Sequence, residues 1–137
     1  AQTEEEKERL EQKTEENKGL LDNIKMMLGD NVKEVRLSTR LKTHPVCLTS
    51  GGDLSLDMEK VLNAMPVEQK VKADRILEIN PEHPVFGALQ KASGDANRLK
   101  EYSELLYEQA LLIEGMPMED PVKFADAVSR LMAEAAK

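Results

Sequence analysis

The chain has 137 residues, 40% apolar and only 3% aromatic, enough for one domain whose core is built chiefly from Leu, Val, Met and Ala. Nineteen Lys and Arg against 26 Asp and Glu leave a formal charge of -7 and no basic stripe, which argues against nucleic acid or an anionic lipid surface as partner. No apolar run approaches the roughly 20 residues that span a bilayer, and the single Cys47 excludes an intrachain disulfide, as suits a reducing cytoplasm.

The sequence opens Ala-Gln-Thr-Glu-Glu-Glu, without an initiator methionine or the segments of a signal peptide, and reads as a piece of a longer protein. Residues 3–28 predict one long helix. Its front half is charged, Leu21, Ile24 and Leu28 follow at helical spacing, and Gly29 stands where a C-terminal cap belongs. Asp30-Asn31 turns the chain. Residues 32–41 alternate, with Val35, Leu37 and Thr39 on one side and Glu34, Arg36 and Ser38 on the other, and predict a strand. Pro45 opens a second strand over 46–49, at an edge or strand start, and Ser50-Gly51-Gly52 ends it.

Residues 53–65 predict a short helix between flexible flanks, the rear one, 66–73, polar and poor in anchors. Leu54, Met58, Val61, Leu62 and Met65 fall within about 100° on a helical projection. Two readings fit this stripe: it packs on the sheet, or it offers an adaptable, methionine-containing face to other chains. A third strand spans 75–79. Asn80-Pro81 then predicts a helix start, with Asn as cap, Pro at the first position and Pro84 still in the first turn.

The last forty-odd residues predict a helical hairpin, 95–116 and 121–136. Leu99, Tyr102, Leu105, Leu106, Ala110, Leu112, Ile113 and Met116 cover about 160° of the first helix. Phe124, Ala125, Ala127, Val128, Leu131, Met132 and Ala135 cover a similar arc of the second. Both exceed the roughly 100° that packing on one core requires. Such excess implies burial in two directions, inward to the domain and outward to a second copy; which stripe faces which way stays open.

Catalytic patterns are weak. Ser50-Gly51-Gly52-Asp53 lacks the lysine spacing of a phosphate-binding loop. His44 and Cys47 are three residues apart, which on an ideal strand sets them on opposite faces. His83 is expected to hydrogen-bond locally. No His/Cys/Asp set has metal-ligand spacing, and no enzyme constellation stands out.

Four segments together resemble one family. Val35-Arg36-Leu37-Ser38-Thr39-Arg40-Leu41 with Pro45-Val46-Cys47-Leu48 is similar to the opening strands of the C-terminal domain of bacterial HtpG-type chaperones, members of the heat-shock protein 90 family. Glu78-Ile79-Asn80-Pro81-Glu82-His83-Pro84 resembles that domain's Glu-Leu-Asn-Pro-x-His motif. Leu106-Tyr107-Glu108-Gln109-Ala110-Leu111-Leu112 resembles its dimer helix, and Glu119-Asp120-Pro121 with Phe124 and Leu131 the start of its terminal helix. The similarity runs over residues 20–132.

The resemblance implies an α+β fold: a small three-stranded sheet with flanking helices and a C-terminal hairpin that forms an intermolecular four-helix bundle. Residues 1–29 would be a leading helix continuing from an absent middle domain, and 30–137 the dimerisation domain. Residues 53–65 would correspond to the family's exposed amphipathic helix, with Leu54, Met58, Val61, Leu62 and Met65 as client-binding positions. This favours the exposed reading of that stripe. The expected dimer interface is Leu105, Leu106, Gln109, Leu112, Ile113, Phe124, Ala127, Val128, Leu131 and Met132.

The expected function is therefore constitutive homodimerisation of an ATP-dependent chaperone, together with binding of unfolded or partly folded clients. ATP and magnesium belong to an N-terminal domain outside this chain, so no cofactor, metal or enzymatic activity is expected here. The end, Met-Ala-Glu-Ala-Ala-Lys, differs from the acidic tail of eukaryotic cytosolic members. That implies a bacterial, cytoplasmic protein and no tail-reading helical-repeat cochaperone. The alternatives are a purely structural dimer tether without client binding and, resting on His44, Cys47 and the Gly51-Gly52 turn, a fragment of a cytosolic enzyme.

Overall fold

Arg75–Ile79 (β3) carries a compact apolar run, and it becomes the middle strand of the sheet. The computed structural model describes residues 3–66 and 69–137. Glu34–Leu37 (β1) runs parallel to β3 and Val46–Ser50 (β2) antiparallel on its other side. Register places Val35, Leu77 and Leu48 in one cross-strand row, and Arg36, Glu78 and Cys47 in the next. Side chains alternate across a strand, so these rows face opposite ways. The apolar row meets Lys18–Leu28 (α2) and Ala96–Ile113 (α5), which also pack on each other. Ile24, Leu77, Ile79, Leu89 and Leu99 are essentially fully buried there.

The other row buries a charge. Glu78 is almost wholly enclosed, yet Arg36 reaches its Oε2 at 2.7 Å and Arg40 its Oε1 at 2.6 Å. Burial pushes the carboxyl upward, but hydrogen bonds from Arg36 and then Arg40 outweigh it and hold Glu78 below the ordinary value of 4.5. Both guanidiniums keep a solvated side, so the carboxylate rather than the arginines bears the desolvation cost.

Around the sheet, Glu4–Glu16 (α1) leads into α2, Leu56–Asn63 (α3) bridges β2 and β3, Pro84–Lys91 (α4) follows β3, and Pro121–Ala135 (α6) closes the chain. This is the expected α+β class, with three strands and a C-terminal helical hairpin. The third strand matches its expected bounds.

Five expectations need correction. The single helix over 3–28 is two, broken at Asn17 (φ -110°, ψ 16°), whose Nδ2 donates to the Lys13 carbonyl. A short amide side chain competes for backbone partners, and α1 buries no residue that would hold the two in line. The first strand ends at Leu37, not 41. Ser38 still donates its N–H to the Ile79 carbonyl, and β3 ends at that residue. Ser38 is buried rather than outward, and its Oγ accepts from Arg40 N–H.

The helix after β3 starts at Pro84, not at Asn80-Pro81. A residue before proline is driven out of the helical region; His83 sits at φ -82°, ψ 141° and caps the helix, its Nδ1 accepting the Val85 N–H at 3.0 Å. This is the local bond expected of His83. Asn80 instead donates to the Lys42 and His44 carbonyls, pinning the β1–β2 connection. Finally, α5 ends at Ile113. Gly115 (φ 70°) takes the left-handed position, and Met116 N–H reaches back to the Leu111 carbonyl at 2.8 Å, closing a Schellman cap.

The Glu78 cluster makes acid stability predictable. Glu78→Gln is expected to cost about 1–3 kcal/mol at neutral pH. Because the folded carboxyl lies below 4.5, its contribution is complete above that value and disappears as pH falls through the depressed one. Urea unfolding of both proteins should show the gap narrowing as pH is lowered to about 2. A gap unchanged over that range contradicts the assignment.

Candidate functional site

The helix α3 is amphipathic with its faces reversed. On a helical projection Leu56, Glu59, Lys60 and Asn63 share about 100°, and the centre of Met58, Val61, Leu62 and Met65 lies about 160° away. In an ordinary surface helix the apolar arc turns inward. Here the polar arc does. Glu59 is buried, while Met58 (47%), Val61 (53%) and Met65 (49%) are exposed. The stripe thus does not pack on the sheet. The helix is shorter than the expected 53–65: Leu54 precedes the Ser55 N-cap and packs against the core, Met65 follows the Ala64 C-cap, and Leu62 within the helix is half-buried.

Polar bonds hold the helix this way round. Glu59 Oε2 pairs with Arg75 Nη2 at 2.7 Å, both nearly buried, and its Oε1 accepts the Ala73 N–H at 2.7 Å. Arg75 Nη1 donates to the Tyr107 hydroxyl at 2.6 Å. Burial pushes the Tyr107 phenol up, against the pull of Arg75, so the oxygen stays protonated and accepts. Lys60 Nζ donates at 2.7 Å to the carbonyl of Glu114, the C-cap of α5. Asn63 exchanges two 2.8 Å bonds with the Val71 backbone, and Lys70 Nζ donates to the Asn63 carbonyl at 2.7 Å. The rear flank is therefore anchored at Lys70, Val71 and Ala73, contrary to the expectation; residues 67 and 68 of it lie outside the described residues.

In front, the Gly51 N–H is bonded to the Asp74 carbonyl at 2.7 Å, and a Cβ at Gly51 or Gly52 would come within 3.2 Å of Ile76 or Asp74. Close approach explains the two glycines, and the N–H a phosphate would need is already engaged. Sequence reasoning missed Glu59, Lys60, Asn63, Arg75 and Tyr107. The available signal was an arginine opening the central apolar strand.

The hairpin supplies the second surface. Asp95 and Asp120 cap α5 and α6 through side-chain bonds to Arg98 and Lys123 N–H, and Pro121 occupies a first-turn position. Antiparallel pairing is fixed at its open end by Arg98 with Glu134 (2.5 Å) and Arg130 with Glu101 (2.6 Å). Only Ala127 of α6 is buried. Met132 (68%), Val128, Leu112 (54%) and Ile113 face outward, whereas Leu105 and Leu106 are already buried within the chain. Phe124, Leu131 and Gln109 are intermediate. Leu131, Leu105, Leu106 and Gln109, with Tyr102 and Leu89, line an open apolar groove of about 450 Å³ between α4, α5 and α6.

A family model described as Hsp90 protein matches residues 1–137. The chain belongs to the Hsp90 family. Relatives named "Chaperone protein HtpG" include those of Clostridium acetobutylicum, 56% identical over 87% of this chain, and Bacillus subtilis, 49% over 95%. That of Shouchella clausii is 52% identical over 93%. These alignments cover 19%, 21% and 20% of the relatives, so the chain spans about a fifth of their length.

Among the described residues no group of three or more His, Cys, Asp or Glu side chains is placed to hold a metal, and no helix is long and apolar enough to cross a membrane. His44 is exposed, and the Cys47 thiol donates to Glu78 Oε1 at 3.4 Å. Burial and then the Glu78 charge push that thiol up to about 12. Thiolate is the reactive form, so iodoacetamide at pH 7.5 is expected to modify Cys47 roughly a hundredfold more slowly than a free thiol. Alkylation at the free-thiol rate, followed by mass spectrometry, would refute this.

Proposed function

We propose that this chain is the C-terminal dimerisation domain of an HtpG-type chaperone, and that the outward face of α3 contributes to binding unfolded or partly folded proteins. The observation that carries the reading is the set of large apolar side chains left uncovered on elements that are otherwise firmly tied down. Met58 and Val61 project from a helix clasped on its polar side, Met65 from the turn after it, and Val128 and Met132 from a helix ion-paired to α5 at Arg98–Glu134 and Arg130–Glu101. Apolar patches on an ordered scaffold mark surfaces made for other chains. Two kinds of partner follow from two kinds of patch. The flexible thioethers of α3 suit varied, loosely structured chains, while the long straight faces of α5 and α6 suit a symmetric copy packed as a four-helix bundle.

A permanent dimer would hold two ATPase arms at high effective concentration. ATP and magnesium are assigned to a part of the protein outside this chain. A bacterial cytoplasmic location is part of the same proposal.

Two substitutions separate the surfaces. Met132→Glu combined with Val128→Glu should raise the dimer dissociation constant about a hundredfold or more, by burying unpaired carboxylates, with the circular-dichroism melt unchanged. An unaltered constant in sedimentation equilibrium would remove α6 from the interface. Met58→Ser with Val61→Ser should weaken binding of a partly unfolded protein about tenfold and leave the dimer intact. A lower melting temperature with unaltered binding would make those residues structural instead.

A further inference from the structure

The two proposed surfaces share an attachment that neither role requires. The inward face of α3 grips α5 at two points: through Arg75 at the Tyr107 hydroxyl, and through Lys60 at the Glu114 carbonyl. Those points lie seven residues apart, two helical turns or about 10 Å along α5. The second is the last turn of α5, immediately before the Gly115 cap from which the hairpin leaves for α6. Lys60 also meets the negative end of the helix macrodipole there. A side chain from the stripe-bearing helix thus completes the C-terminus of a dimer helix, and the Leu112 and Ile113 side chains exposed for the partner belong to that same turn.

We infer that Lys60 is a positioning residue through which occupancy of the α3 stripe and affinity of the dimer bias each other. The inference rests on the client and dimer roles proposed above. A chain bound on the stripe restrains the residual motion of α3 and with it the Lys60 ammonium already bonded to Glu114, which restrains the end of α5 and lowers the ordering cost of docking the hairpin on its copy. Linkage makes the effect reciprocal: dimerisation raises affinity for the bound chain by the same factor. Lys60 touches neither partner in this scheme.

The test uses the whole chain and reduced, carboxymethylated α-lactalbumin as a permanently unfolded probe. The dimer dissociation constant is measured by sedimentation with and without saturating probe, in the wild type, Lys60→Met and Lys60→Arg. Lys60 is partly exposed, so methionine keeps the stem and removes the ammonium, losing with the Glu114 bond only a solvent-exposed 3.3 Å pair to Asp57. The expected result is that probe tightens the wild-type dimer about fivefold. Lys60→Met should abolish that shift while each separate affinity stays within about twofold, and Lys60→Arg should restore it. Probe binding and dimerisation without a shift in the wild type would overturn the inference and leave the proposed function standing. A shift that survives in Lys60→Met would do the same, since a probe bridging two protomers needs no lysine. A chain that neither dimerises nor binds probe would overturn the proposed function together with the inference.

Discussion

A buried guanidinium organises the second half of this molecule. Arg75 begins the central strand, and its charge is balanced by Glu59 from α3 and received by Tyr107 from α5. An isolated charge at that depth would be prohibitive; a paired one is tolerable only when geometry and hydrogen bonding are good. The three residues therefore commit sheet, loop helix and hairpin helix to a single mutual arrangement. A purely apolar contact would allow α3 to slide or roll, because dispersion and hydrophobic burial have little directionality. The carboxylate, the guanidinium fork and the hydroxyl do not.

That directional anchor permits the inverted amphipathicity of α3. Left to the hydrophobic effect, a helix carrying Met58, Val61, Leu62 and Met65 on one side would turn that side down. Here Glu59, Lys60 and Asn63 claim the inward side, each with a specific partner, and the apolar arc is left to solvent. The hairpin reaches a similar state by another route. Leu99, Leu105, Leu106, Ala110 and Ala127 are buried within the domain, while Leu112, Ile113, Val128 and Met132 of the two overly broad stripes stay exposed.

Membership in the Hsp90 family and the α+β class were both legible in the sequence. A compact apolar run identified β3, and alternation identified β1 with its bounds set too wide. Helical spacing identified the hairpin, and the excess width of its stripes pointed to its uncovered faces. The errors cluster where a distant residue overrides a local pattern. Residues 38–41 kept the alternation of a strand, but β3 ends at Ile79, whose carbonyl takes the Ser38 N–H. Asn80-Pro81 has the chemistry of a helix start, yet Asn80 is taken by the Lys42 and His44 carbonyls, and Pro84 excludes its predecessor from the helix. The stripe over 53–65 was visible; the polar residues that aim it were not, since nothing local distinguishes Glu59 from a solvated glutamate.

The sequence by itself determined the elements with strong periodicity, the caps built from residues three apart, and the existence of apolar arcs too wide for one core, because these depend on neighbours along the chain. Only the tertiary structure decided which arc faces out and which charges are buried. Glu59 and Arg75 are 16 residues apart, Arg75 and Tyr107 are 32 apart, and Lys60 and Glu114 are 54 apart. A charge becomes an anchor only when folding removes its water and brings its partner within bonding distance, and neither event is written in the spacing of residues.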